Sequence, residues 1–122
     1  MLTLGWSDGG TFMPLAFSLL SSDKEKNRYQ ELNQGIDKRT VGYRRRREAM
    51  QKSTETMFSL LAQVNPLQLC ASTLLFDSWF AFPSIIKRVL TEHHLHVVCM
   101  LKDMHRVYYN YNGSEYTLGQ LY

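Results

Sequence analysis

One acid interrupts the most apolar part of this sequence. In TLLFDSWFAFP, from Thr73 to Pro83, the run Thr73, Leu74, Leu75 and Phe76 reads as a short buried strand that stops at Asp77. Phe82, Pro83 and Ser84 then restart the chain as a helix reaching about Glu92. A carboxylate at the carboxyl end of a buried strand, at the turn into a helix, stands where open α/β sheets place ligands and catalytic groups. The same position suits an acid that satisfies backbone amides at a helix start, and spacing alone leaves both roles open. Trp79 and Phe80 beside it read as packing residues.

A second group with chemical potential is basic. Lys38, Arg39, Arg44, Arg45, Arg46, Arg47 and Lys52 face a single acid, Glu48, so this segment carries +6 of charge while the whole chain carries +3. A localised positive field on an otherwise nearly balanced protein points to a polyanionic partner such as nucleic acid. Four consecutive arginines advance about 100° each on a helix and wrap most of its circumference, which no core-facing turn tolerates. They form either a solvated helix end or a set of phosphate contacts. His93, His94 and His96 are explained by favourable charge at a helix C-terminus without invoking a metal. Cys70 and Cys99 have no C-x-x-C spacing and read as buried, inert thiols. Asp8 and Asp103 read as turn or strand-end acids. No P-loop, G-x-S-x-G or G-x-G-x-x-G motif occurs, so nucleophilic catalysis has no visible basis.

The elements that must position these groups follow from periodicity. With 122 residues, 44% hydrophobic and 20% charged, the chain suits one globular domain rather than disorder. There is no apolar run long enough for a membrane span and no signal-peptide pattern, so a cytoplasmic chain without membrane contact is expected. LTLGWS, the turn at Asp8, Gly9 and Gly10, and TFMPLAFSLL predict an antiparallel hairpin from Leu2 to Leu20, with Pro14 at an edge or bulge. Ser21 to Thr40 reads as an exposed loop. A single helix is expected from Tyr43 to about Val64, with Met50, Met57, Leu61 and Val64 inward, ended by Asn65 and Pro66. After the Asp77 strand, Ile85, Ile86, Val89 and Leu90 define one face of the next helix. HVVCML from His96 to Leu101 is a second buried strand, parallel to the first by a right-handed crossover. Lys102 then lies at the same end as Asp77. Asn112 and Gly113 predict a C-terminal hairpin.

At LLFDSWFAFPSIIKRV the chain resembles the DDE transposases of bacterial insertion sequences, whose catalytic domain has a ribonuclease-H-like fold. The resemblance implies that Asp77 matches the second acid of an Asp-Asp-Glu triad, a catalytic and metal-binding position. It implies that GWSDGGTFMPLAFSLLSS corresponds to the second and third strands of that fold and YRRRREAMQKSTETMFSLL to its first helix. VVCMLKDMHRVYYNYNGSEYTLGQLY is similar to the fifth strand and the opening of a β-rich insertion. The implied fold class is α/β, a partial ribonuclease-H-like fold over residues 1–104 with the start of the insertion over 105–122.

The implied function is DNA transposition on double-stranded transposon ends. The implied cofactor is a pair of Mg²⁺ or Mn²⁺ ions about 3.5 to 4 Å apart, held by three carboxylates. Arg44, Arg45, Arg46, Arg47 and Lys102 become candidates for contacting phosphates. Neither Asp8 nor Glu115 lies in an element that would supply the first Asp or the final Glu. The chain is therefore expected to be an internal segment, inactive alone, that associates with itself or with a full-length transposase. The alternative is a non-catalytic DNA-binding or regulatory protein that forms mixed complexes with such a transposase. In the family the first strand is the centre of the sheet, and its absence is expected to leave exposed edges that favour association.

Overall fold

The computed structural model describes all 122 residues except Asp23, Glu31, Leu32 and Gln34, and the side chain of Leu67. The architecture is mixed α/β, and the chain divides into two compact units, Met1–Ser72 and Thr73–Tyr122. Among the described residues no helix is long and apolar enough to cross a membrane.

The first unit begins with the expected antiparallel hairpin, β1 (Leu2–Ser7) and β2 (Phe12–Ser18). The register skips one residue between Leu4 opposite Ala16 and Gly5 opposite Pro14. A bulge therefore accommodates the proline, which has no N–H to give to the ladder. Gly9 at φ +94° makes the turn, and the Asp8 carboxylate accepts from the amides of Thr11 at 2.7 Å and Gly10 at 2.9 Å. These two amides, Thr11 foremost, hold the Asp8 carboxyl below its ordinary range. A lowered folded value means that the hairpin gains stability above the ordinary carboxylate range and loses it as pH falls through the lowered value. In Asp8→Ala that part of the acid sensitivity should vanish, and acid titration of both chains followed by circular dichroism would show it. Identical acid profiles would remove the assignment.

The expected loop over residues 21–40 contains only a short 3-10 turn at Glu25–Asn27 within its described part; the expectation for Asp23, Glu31, Leu32 and Gln34 lies outside the described residues. The single helix expected from Tyr43 to Val64 is instead two, α1 (Val41–Ala49) and α2 (Ser53–Val64). The Ala49 carbonyl, which a continuous helix would give to the Ser53 amide, accepts from Ser21 at 2.8 Å. Ser53 and Thr54, residues that favour helix starts, follow the break. Thr40 caps α1 by accepting from the Tyr43 amide at 3.2 Å. α2 lies against both strands of the hairpin and α1 against β2. Thr56, Met57, Phe58, Leu60 and Leu61 of α2 are buried, and the Thr56 hydroxyl donates to the Lys52 carbonyl at 3.2 Å. Asn65 ends α2 in the left-handed conformation, φ 49°, as Asn tolerates better than most residues.

The second unit opens with the expected strand–helix–strand. β3 (Thr73–Phe76) and β4 (His96–Cys99) are parallel, with Thr73 opposite His96 and Phe76 opposite Cys99, and α3 (Pro83–His93) connects them. Pro83 occupies the first helical position, where its missing N–H costs nothing. Ile85 and Val89, one turn apart, are buried together with Leu95, and His94 closes the helix at φ 54°. Ile86 is half-buried and Leu90 is exposed. With Pro83, Lys87, Leu101 and Tyr109 they line an open apolar depression of about 270 Å³ rather than a closed core.

The two strands are not buried on both faces. Leu75 is 70% and Val98 58% exposed while their neighbours Leu74, Phe76, Val97 and Cys99 are half-buried. Alternation across the pleat gives one covered and one open face, with α3 packed against β4. A C-terminal hairpin follows, β5 (Tyr109–Tyr111) and β6 (Ser114–Tyr116), turned by Asn112 and Gly113 at φ 51° and 82°. Positive φ at both central residues is the demand that the Asn-Gly pair meets. A one-turn helix, α4 (Leu118–Leu121), completes the chain and was not expected from the pattern. Among the described residues the first unit holds the two-stranded sheet β1–β2, and the second holds two such sheets, β3–β4 and β5–β6.

Candidate nucleic-acid interface

Asp77 stands directly after β3, and its carboxylate accepts from the Trp79 amide at 2.8 Å while its carbonyl accepts from Phe80 at 3.3 Å. The acid therefore does satisfy a backbone amide in the turn. One carboxylate oxygen is committed to holding the Ser78–Trp79 turn in shape. The side chain is nonetheless exposed, at the same end of the parallel pair as Lys102, which follows β4.

The turn sorts the aromatic residues by side. Phe80 is buried at 9% exposure and meets Phe76 edge-on, with ring centroids 6.2 Å apart. Trp79, which its sequence setting assigned to packing, is instead 62% exposed. The Asx turn at Asp77 sends consecutive side chains to opposite sides, and only one of the two can enter the core. Phe82 is also partly exposed, at 40%. The Lys102 ammonium lies over both outward rings, 5.0 Å from the Trp79 centroid and 5.8 Å from that of Phe82. Lys102 was legible as a cation at this end of the sheet. Its two aromatic neighbours were not, because a parallel register brings them together from residues distant in sequence.

The arginine run behaves as its spacing predicts. Arg44, Arg45, Arg46 and Arg47 are all exposed on α1, which has no buried residue. Arg45 stacks over Phe17 of β2 at 5.4 Å, and Arg46 donates to the Gly42 carbonyl at 3.2 Å. None of the four is ion-paired to a described residue. Asp37 and Arg39, just upstream, do pair at 3.1 Å, and the guanidinium holds the Asp37 carboxyl below its ordinary range. That pair is solvent-exposed and contributes little to stability.

Among the described residues no three His, Cys, Asp or Glu side chains converge in a way that could hold a metal ion. A two-ion site needs more carboxylates than Asp77 alone brings, so the described residues do not fit the Mg²⁺ or Mn²⁺ pair that the resemblance implies.

The cysteines differ from expectation as well as from each other. Cys70 is exposed, because a left-handed turn at φ 52° carries it outward between Leu69 and Ala71. Cys99 is half-covered in β4, and burial pushes its thiol above the ordinary value. Thiol-reactive probes at neutral pH should label Cys70 about tenfold faster than Cys99. Equal labelling rates in the Cys70→Ser and Cys99→Ser chains would contradict the placement of both.

The chain matches no family model, and no curated protein and no solved structure matches it.

Proposed function

We propose that this chain is a DNA-binding α/β segment related to the catalytic core of DDE transposases, in which Asp77 holds the place of the second acid. The observation that carries the reading is the parallel β3–α3–β4 unit, with the Asp77 carboxylate and the Lys102 ammonium at the carboxyl ends of its two strands. That end of a parallel unit is where ligands bind in open α/β sheets. The four solvent-facing arginines of α1 supply the charge that a phosphate backbone requires. Guanidinium groups suit this role because their planar donor fork matches phosphate oxygens.

Binding of duplex DNA, followed by fluorescence anisotropy across a salt series, tests the reading. Four or five neutralised phosphates give a log–log slope of about −4, and replacing Arg44, Arg45, Arg46 and Arg47 together by alanine flattens it by about 3.6. A salt-insensitive affinity, or one unchanged in the quadruple variant, sinks the proposal. By itself the chain neither cleaves nor joins DNA on this reading. Mg²⁺-dependent nicking that disappears in Asp77→Asn would overturn that part.

A further inference from the structure

We infer that Trp79, Phe82 and Lys102 form a stacking site for an unpaired base of single-stranded nucleic acid, with Trp79 taking the base and Lys102 its phosphate. The inference deepens the reading above and rests on it. Three observations combine. Trp79 is 62% and Phe82 40% exposed, although the neighbouring Phe80 shows that this same loop can bury an aromatic ring. The outward pose is fixed by the backbone, because the Asp77 carboxylate holds the Trp79 amide at 2.8 Å and the Ala81 amide donates to the Ser78 carbonyl at 3.3 Å. A lysine ammonium lies within 5.0 Å and 5.8 Å of the two ring centroids.

Exposed aromatic rings interleaved with a cation are the arrangement by which proteins hold single strands. The ring face accepts any base, and the cation takes the adjoining phosphate. A duplex hides its base faces inside the stack, so this cluster has no use for one. An acidic peptide would be held by the ammonium, but it offers no flat ring to Trp79. The Lys102 ammonium would pair with a phosphate as readily as with a carboxylate, and a base adds the flat ring that such a peptide lacks.

The molecule contains two tryptophans, so Trp6→Phe leaves Trp79 as its single indole reporter. In that background the probes are a short oligothymidylate, the same strand with abasic sites, the matching duplex, and a glutamate-rich peptide. Expected is quenching of Trp79 by oligothymidylate and, read by fluorescence anisotropy of the end-labelled strand, affinity about tenfold lower in Trp79→Ala and largely restored in Trp79→Phe. The abasic strand should bind about equally to all three chains. Oligothymidylate that binds with unchanged affinity in Trp79→Ala, or no better than the abasic strand, overturns the stacking site while leaving the arginine contacts standing. Stronger quenching by the peptide overturns it in favour of a protein partner. Failure of every nucleic acid to bind overturns both readings. Trp79 is largely solvent-facing, so its substitution leaves the core intact, and circular dichroism of each variant verifies this.

Discussion

Leu61→Ala is expected to destabilise the first unit by about 3 kcal/mol, the middle of the range for buried leucines. Leu61 is 1% exposed on the face of α2 that meets the hairpin, beside Leu60 at 2% and Thr56 at 0%. Removing three carbons from such a site loses their transfer free energy and leaves a cavity that close-packed neighbours refill only in part. The unit has a limited core to absorb that loss, since its other helix, α1, buries no residue. Leu75→Ala makes the matching control, the same chemical change at a side chain that is 70% exposed in β3. It should cost less than about 1 kcal/mol, because little surface leaves water there on folding. Urea unfolding of the two variants followed by circular dichroism separates them. Equal midpoints would mean that α2 does not rest on the hairpin as described.

A leucine in a helix and a leucine in a strand look alike in the sequence, and that limits what can be read there. The two hairpins were legible because Asp8-Gly9-Gly10 and Asn112-Gly113 are local chemistry, complete within a few residues. The β3–α3–β4 unit was legible for similar reasons. Its apolar runs are short, and Pro83 marks the helix start. Asp77 was found by its position alone, and the structure gives it one definite task, holding the Trp79 amide.

What escaped depends on partners far along the chain. The break between α1 and α2 follows from Ser21 taking the Ala49 carbonyl, which no periodicity around Met50 announces. The strands read as buried turn out half-open, because residue type reports preference for a covered face and not whether a covering layer exists. Trp79 and Phe80 are both large aromatics, and only the turn geometry decides which points inward. The meeting of Lys102 with Trp79 is a product of parallel register, and it converts a strand-end lysine into part of a defined cluster.

The open face of the β3–β4 pair leads to the second large effect, concentration-dependent self-association that charged substitutions on that face suppress. Leu75 and Val98, paired across the two strands, are 70% and 58% exposed, and Met100 just beyond β4 is 71% exposed. Parallel sheets are ordinarily covered on both faces, and a two-stranded sheet also leaves each strand one unpaired edge. Covering the remaining exposed surface of Leu75 and Val98 is worth about 2.5 kcal/mol together, so replacing both with lysine should weaken association by roughly a hundredfold. Lysine also suits the role sterically, since its stem can lie along the sheet while the ammonium stays in water and repels a second copy. Both positions already face solvent, so the stability of the folded chain should change by less than about 1 kcal/mol. Sedimentation velocity over a concentration series reads the effect, with the unmodified chain moving to larger species and the Leu75→Lys, Val98→Lys chain remaining monomeric. Raising the salt sharpens the attribution. Contacts driven by apolar surface persist at high ionic strength, whereas association through the α1 arginines would weaken as charge is screened. A single monomeric species for the unmodified chain at every concentration would show that the exposed row drives no association.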